Sequence, residues 1–242
     1  MHGVSVFFGM LQLPAVIASA AVPDVPDDAW DERFDRAVAA GTLHPLEASF
    51  ARSLPVARRA TFLAGRQALR EALAGLDGYG HRFDAPILRT PRGAPALPSG
   101  LTGSITHKRT QAKAAVALRT GSLQHLGIDL EHRPTEADLA RPSIARKILT
   151  AREFAHVAQT GHDTLAGREL VLVHFALKEA VYKAIDPFVE RYVRFTEVEL
   201  ELTQGQAAVS LLLPEPAVAD VRVHAGWRID GEWIEAWASS HL

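Results

Sequence analysis

The chain has 242 residues, enough for one large domain or two small ones with a substantial core. A formal net charge of −2 gives no global case for nucleic acid or an anionic membrane as partner. The absence of cysteine excludes disulfides, thiolate metal sites and a cysteine nucleophile.

Val4 to Ala21 is an apolar run ending in Ala18-Ser19-Ala20-Ala21, loosely like a signal peptide. No Lys or Arg precedes it and Pro14 interrupts it, so Pro14 to Val22 reads instead as a buried first strand and the protein as cytoplasmic. The run is too broken to span a membrane as a helix. Pro23 to Asp28 is a loop, Ala29 to Ala40 has helical spacing, and Gly41 to Pro45 breaks it. Pro55 to Leu76 is the longest helical pattern of the first half, with Val56, Leu63, Ala64, Leu69 and Leu73 on its apolar side. It carries Arg58, Arg59, Arg66 and Arg70. Arg58 and Arg66, a little over two turns apart, read as lying roughly on one side; a solvated helix face would carry the same run.

Pro86 to Gly100 reads as an irregular loop bearing Arg89 and Arg92. Gly103-Ser104-Ile105-Thr106-His107 then offers two hydroxyls and an imidazole near a turn, and Lys113 to Leu118 is a strand of small residues. Taken alone, His107 would read as a hydrogen-bonded structural histidine.

Gly127-Ile128-Asp129-Leu130-Glu131 is a short strand-like run in which apolar and acidic residues alternate. Side chains two apart share a strand face, so Asp129 and Glu131 point the same way. Bare carboxylates so close repel, and a hard divalent cation such as Mg²⁺ removes the conflict. Two solvated acids on an exposed strand edge would give the same pattern. Beyond it, Ile148 to Val157 reads as a helix with Thr150 as N-cap and Glu153 completing a capping box. Leu165 to Ile185 is a long helix that should stop before Pro187. Val193 to Leu202, Gln206 to Leu213 and Val221 to Ala238 read as strands, the last turning at Asp230-Gly231. The expected fold is α+β, with two similar lobes at 1–124 and 125–242, each holding a small antiparallel sheet and one long helix.

On the second long helix, Glu179 and Lys183 are four apart and share a face. That pairing can be an ordinary surface contact, but strongly apolar neighbours put it near the core boundary, where charges have a partner or a task. A third carboxylate beside Asp129 and Glu131 would give a cation three protein oxygens and leave places for water and substrate phosphate. Lysines beside it would face phosphate charge.

Gly127-Ile128-Asp129-Leu130-Glu131, followed by Phe175-Ala176-Leu177-Lys178-Glu179-Ala180-Val181-Tyr182-Lys183, resembles the two signature motifs of the 4′-phosphopantetheinyl transferases. Pro91 to Pro98 and the Ser104-Ile105-Thr106-His107 run are similar to that family's proline-rich loop and Ser-x-(Ser/Thr)-His motif. Arg58 to Arg66 is similar to its first arginine-bearing helix, and Ile148-Leu149-Thr150 with Glu153 also fits. The resemblance is to the long, monomeric branch, which serves non-ribosomal peptide, polyketide and siderophore synthesis. It implies transfer of phosphopantetheine from coenzyme A to a serine of an apo carrier protein, releasing 3′,5′-ADP. It implies Mg²⁺ (or Mn²⁺) held by Asp129, Glu131 and Glu179, with Glu179, Lys183 and Asp129 as the catalytic set. Coenzyme A would be contacted by Arg58, Arg66, Arg89, Arg92, Ser104, Thr106, His107, Lys178 and Lys183. The implied fold has pseudo-twofold lobes with coenzyme A in the cleft between them. Arg141, Arg146, Lys147 and Arg152 would present a basic face to an acidic carrier. Phe175 departs from the tryptophan many members carry there, which should change only packing, and Leu130 matches members that leave that coordination position to water.

Two other readings use the same residues. Carboxylates, a lysine and a divalent metal are also the equipment of metal-dependent phosphodiesterases, against which the near-zero net charge and the lack of an aromatic-basic stripe argue. A non-catalytic coenzyme A- or nucleotide-binding module would need the arginines and His107 but not three carboxylates.

Overall fold

The structure is a computed structural model that describes residues 5–6, 15–76, 84–119, 121–214 and 216–242. Half of the apolar N-terminal run, Pro14 included, lies outside the described residues. The chain divides into two compact units, Met1–Arg119 and Thr120–Leu242. The expected boundary after residue 124 would cut the first strand of the second unit, which already begins at Leu123. Among the described residues no helix is long and apolar enough to cross a membrane.

The first unit holds a four-stranded antiparallel sheet of β1 (Ser5–Val6), β2 (Ala15–Ala21), β3 (Leu101–His107) and β4 (Gln111–Leu118), in the order β1-β2-β4-β3. Three helices accompany it: α1 (Trp30–Ala39), α2 (Pro45–Ser53) and α3 (Val56–Ala74). The sheet is built largely of alanine and valine, and α3 meets it with Ala64, Ala68 and Ala72, one turn apart. Small residues on both surfaces bring helix and sheet close. At Gly65 a Cβ would stand 3.0 Å from Ile105 Cγ2. On the other side of α3, Leu63 packs with Trp30, Phe34 and Leu43 in a second cluster that fixes α1 and α2. The helix α2 was not legible in the sequence because its cap is unusual. His44 takes the N-cap position, its Nδ1 accepting from Leu46 N–H, and Pro45 fills the first turn.

The second unit holds a five-stranded antiparallel sheet of β5 (Leu123–His132), β6 (Val198–Thr203), β7 (Gln206–Leu211), β8 (Arg222–Asp230) and β9 (Trp233–His241), in the order β5-β9-β8-β7-β6. Its helices are α4 (Ala145–Ile148), α5 (Ala151–Ala158) and α6 (Leu165–Val189). The expected single helix from Ile148 is two, because Leu149 is extended (φ −88°, ψ 141°) and α5 restarts from the Thr150 cap. Helix α6 runs through Pro187 to a left-handed Glu190 (φ 54°). A proline in the last turn forfeits a single N–H bond, so packing of Ile185 and Val189 in the core outweighs it. Ala180, Val181, Ala184 and Ile185 seat α6 on the sheet with Ile234, Ala236 and Ala238 of β9. The β8–β9 turn is the two-residue loop Gly231-Glu232, with Gly231 at φ +58°; it lies one residue beyond the expected Asp230-Gly231, because Asp230 still pairs with Trp233. The architecture is therefore α+β, with one antiparallel sheet and one long helix in each unit.

Two buried histidines make the second unit acid-sensitive. His174 on α6 is buried, with Nδ1 2.8 Å from the Leu170 carbonyl oxygen, and desolvation lowers its pKa. His241 lies between Ser122 and Ser239, its ring 4.7 Å from that of His224; desolvation first, then His224, lowers its pKa. Both folded values lie below the unfolded value of 6.5, so the fold favours neutral imidazole. That contribution is complete above pH 6.5 and is lost as pH falls below it. The unfolding midpoint is expected to drop between pH 7 and pH 5.5, and less steeply in His241→Asn. A flat thermal-denaturation profile over this window would contradict it.

Candidate functional site

The central motif is buried rather than exposed. Gly127, Asp129 and Glu131 share one side of β5, and that side faces α6. A Cβ at Gly127 would fall on the Ala180 carbonyl oxygen, 2.9 Å from the carbonyl carbon and 3.0 Å from the Ala184 nitrogen, all helix backbone. Only glycine allows this approach, and it sets the two acids against the helix. Asp129 and Glu131 are each about 8% exposed. Lys183 reaches across from α6 and donates to Asp129 Oδ1 at 2.9 Å and to the Ile128 carbonyl at 2.8 Å. Glu179 lies half-buried one turn before Lys183.

These acids are hard oxygen donors on neighbouring faces of one strand and one helix, which suits a divalent cation such as Mg²⁺. They are not closed into a cage: among the described residues no three His, Asp or Glu side chains converge on one point. Lys183 engages the Oδ1 oxygen of Asp129 in this conformation.

Lys178, expected near the pyrophosphate, is placed elsewhere. Its side chain is 1% exposed and its ammonium donates to Glu153 Oε2 (2.6 Å), Ile148 O (2.8 Å) and Phe195 O (3.0 Å). It lies about 100° around the helix from Glu179, which turns it to the interior, and desolvation lowers its pKa. Sequence spacing marked Glu153 as a capping residue but not as the partner of Lys178.

In the first unit the expected coenzyme residues separate by depth. Arg58 is exposed on the first turn of α3, whereas Arg66 is about 4% exposed. Eight residues bring the helix back some 80° out of phase, which carries Arg66 inward. Its guanidinium lies 4.6 Å over the Phe62 ring, with Nε 3.8 Å from Glu47 Oε1. Burial pushes Arg66 down to about 10, against the pull of Glu47, so it stays charged at neutral pH. Arg89 and Arg92 are exposed on the loop before β3. Gly93 there takes φ +93°, and Arg89 Nη2 lies 2.8 Å from where its Cβ would stand. Ser104 and Thr106 share a buried face of β3, opposite Ala115 and Lys113 of β4, and His107 is exposed at the strand end. Of the basic group after β5, Arg141 pairs with Asp138 (3.3 Å) and Arg152 with Glu199 and Glu201 (3.5 and 3.2 Å). Arg146 stacks over Phe154 at 5.1 Å.

Residues 46–117 match the 4′-phosphopantetheinyl transferase N-terminal domain, and residues 125–234 match the 4′-phosphopantetheinyl transferase superfamily. The 4′-phosphopantetheinyl transferase Svp of Streptomyces mobaraensis is 32% identical over 223 residues, covering 90% of this chain and 80% of Svp. Npt of Nocardia iowensis, another 4′-phosphopantetheinyl transferase, is 29% identical over 199 residues, covering 81% of this chain and 78% of Npt. PptT of Mycobacterium tuberculosis is 30% identical over 143 residues, covering 59% of this chain and 58% of PptT. The chain belongs to the 4′-phosphopantetheinyl transferases of the long type, enzymes that move phosphopantetheine from coenzyme A to carrier proteins.

Proposed function

We propose that the transfer takes place at the α6-facing side of β5 and depends on Mg²⁺ or Mn²⁺. The observation that carries this reading is the Lys183 ammonium seated on Asp129, on the strand side that also bears Glu131 and beside the helix face bearing Glu179. Asp129, Glu131 and Glu179 would hold the metal, which when bound neutralises charge developing on the pyrophosphate of coenzyme A. Lys183, released from Asp129, donates to the phosphate oxygens. The first unit offers the phosphates of coenzyme A the exposed His107, Arg58, Arg89 and Arg92. The buried Arg66 contributes fixed positive charge from the interior rather than a direct grip. Ser104 and Thr106 order the strand that presents His107.

The carrier serine attacks the β-phosphorus, its proton passes to Glu179 directly or through water, and 3′,5′-ADP leaves. The protein's part in such a transfer is mainly positioning and charge stabilisation. One chain carries both residue sets, in keeping with action as a monomer. The test is calorimetric titration of coenzyme A. Mg²⁺ should tighten binding to the wild-type protein about tenfold and leave binding to Asp129→Asn unchanged. Equal affinity with and without Mg²⁺ in the wild type would remove the metal from this reading.

A further inference from the structure

Two buried glutamates perform one task in the two units. Glu47 is the third residue of α2. Its Oε2 accepts from His44 N–H at 2.8 Å and from Arg70 Nη2 of α3 at 2.7 Å, and its Oε1 accepts from Ile87 N–H at 2.8 Å. Glu153 is the third residue of α5. Its Oε2 accepts from Thr150 N–H at 2.7 Å and from Lys178 Nζ of α6 at 2.6 Å, and its Oε1 accepts from Leu200 N–H at 2.7 Å. In each unit the acid closes a short helix, clasps a cation on the long helix and ties down a later segment. The separations run in the same order, 3, 23 and 40 residues around Glu47 and 3, 25 and 47 around Glu153.

A lysine ammonium has three protons. Those of Lys178 are directed at Glu153, Ile148 and Phe195, which leaves none for a phosphate. We propose that Lys178, clasped by Glu153, is a positioning residue that fixes the rotation of α6 so that Glu179 and Lys183 face β5, and that it makes no contact with coenzyme A. Arg70, clasped by Glu47, is its counterpart in the first unit. The proposal rests on the reading that places Glu179 and Lys183 in the transferase site.

Lys178→Met strands the Glu153 carboxylate in the interior. Glu153→Gln combined with Lys178→Met removes both charges, and the amide oxygen keeps one of the two backbone N–H contacts that the carboxylate makes. The single variant is expected to lose about tenfold or more in kcat, and the double variant to recover most of that loss, with coenzyme A affinity in the double variant within about threefold of wild type. A double variant that is folded yet binds coenzyme A about tenfold more weakly, without recovery of kcat, would overturn the proposal. A measurement on the wild-type protein does not depend on either variant folding. In ¹⁵N-lysine NMR the Lys178 ammonium signal should stay in place on saturation with coenzyme A while that of Lys183 moves; a Lys178 shift as large as that of Lys183 overturns the proposal. If Lys183 is also unmoved and Glu179→Gln keeps full turnover, the site assignment itself fails, and this proposal with it.

Discussion

Asp129→Asn and Glu179→Gln are each expected to lower turnover about 10²–10³-fold, the usual cost of losing one preorganised electrostatic contact in a transfer site. Both changes keep side-chain volume and remove charge. Asp129→Asn also takes the carboxylate partner from Lys183, but that ammonium is part-exposed and can turn to water, so stability should fall far less than activity. Activity and stability thus separate, which marks a site rather than a structural ion pair. The doubly substituted protein should be little worse than either single one, because the acids are argued to act as a unit. Steady-state pantetheinylation of an apo carrier, with thermal denaturation of each variant, measures both quantities. Retention of a third or more of wild-type turnover by either variant would sink the assignment of that residue.

The second large effect concerns a residue with no side chain. Gly127→Ala adds one methyl group, and that methyl meets the backbone of α6 at Ala180 and Ala184. Backbone of a packed helix cannot swing aside as a side-chain tip can, so the helix must move off β5. Overpacking of this kind costs about 3 kcal/mol or more at the upper end of its range. The displacement acts on the face carrying Glu179 and Lys183, so turnover should fall more than stability alone explains. Gly65→Ala is the comparison: its methyl meets one side-chain atom, Ile105 Cγ2 at 3.0 Å, rather than helix backbone, and should cost less. Chemical denaturation and turnover at a temperature where both variants are folded give the comparison. Wild-type stability and turnover in Gly127→Ala would contradict this account of how the strand and helix meet.

What could be read from the sequence was local and periodic. The alternation in Ile128-Asp129-Leu130-Glu131, the helical spacing up to Lys183 and the Thr150 to Glu153 cap each state a geometry within a few residues, and each element formed. What could not be read was set by partners far along the chain. Lys178 looks like any lysine beside Glu179 until Glu153, 25 residues away, is seen to claim it. Arg66 has the spacing of a surface cation, and only the stacking of Phe62 and the nearness of Glu47 put it inside. The strand edge that could have carried two solvated acids is covered because Gly127 lets α6 descend on it, a steric fact that no pattern of polarity expresses.

The twin glutamate anchors bear on the same point. A short periodic repeat is absent from the sequence, and the likeness of the halves was read there as a long helix with strands in each, without the five-residue run the two helices share. The structure adds a shared hydrogen-bond scheme, in which Arg70 and Lys178, each inside an Ala-Leu-(Arg/Lys)-Glu-Ala run (68–72 and 176–180), are used alike. This accounts for a lysine within the second signature motif that faces away from the acids its neighbour joins.

The most direct measurement is the intact mass of an apo carrier protein incubated with this enzyme and coenzyme A, with and without EDTA. The account predicts that the carrier gains the mass of one phosphopantetheine group, that EDTA abolishes the gain and excess Mg²⁺ restores it, and that Asp129→Asn gives none in the same time. An unchanged carrier mass in the presence of Mg²⁺, or a full gain that persists in EDTA, would contradict it.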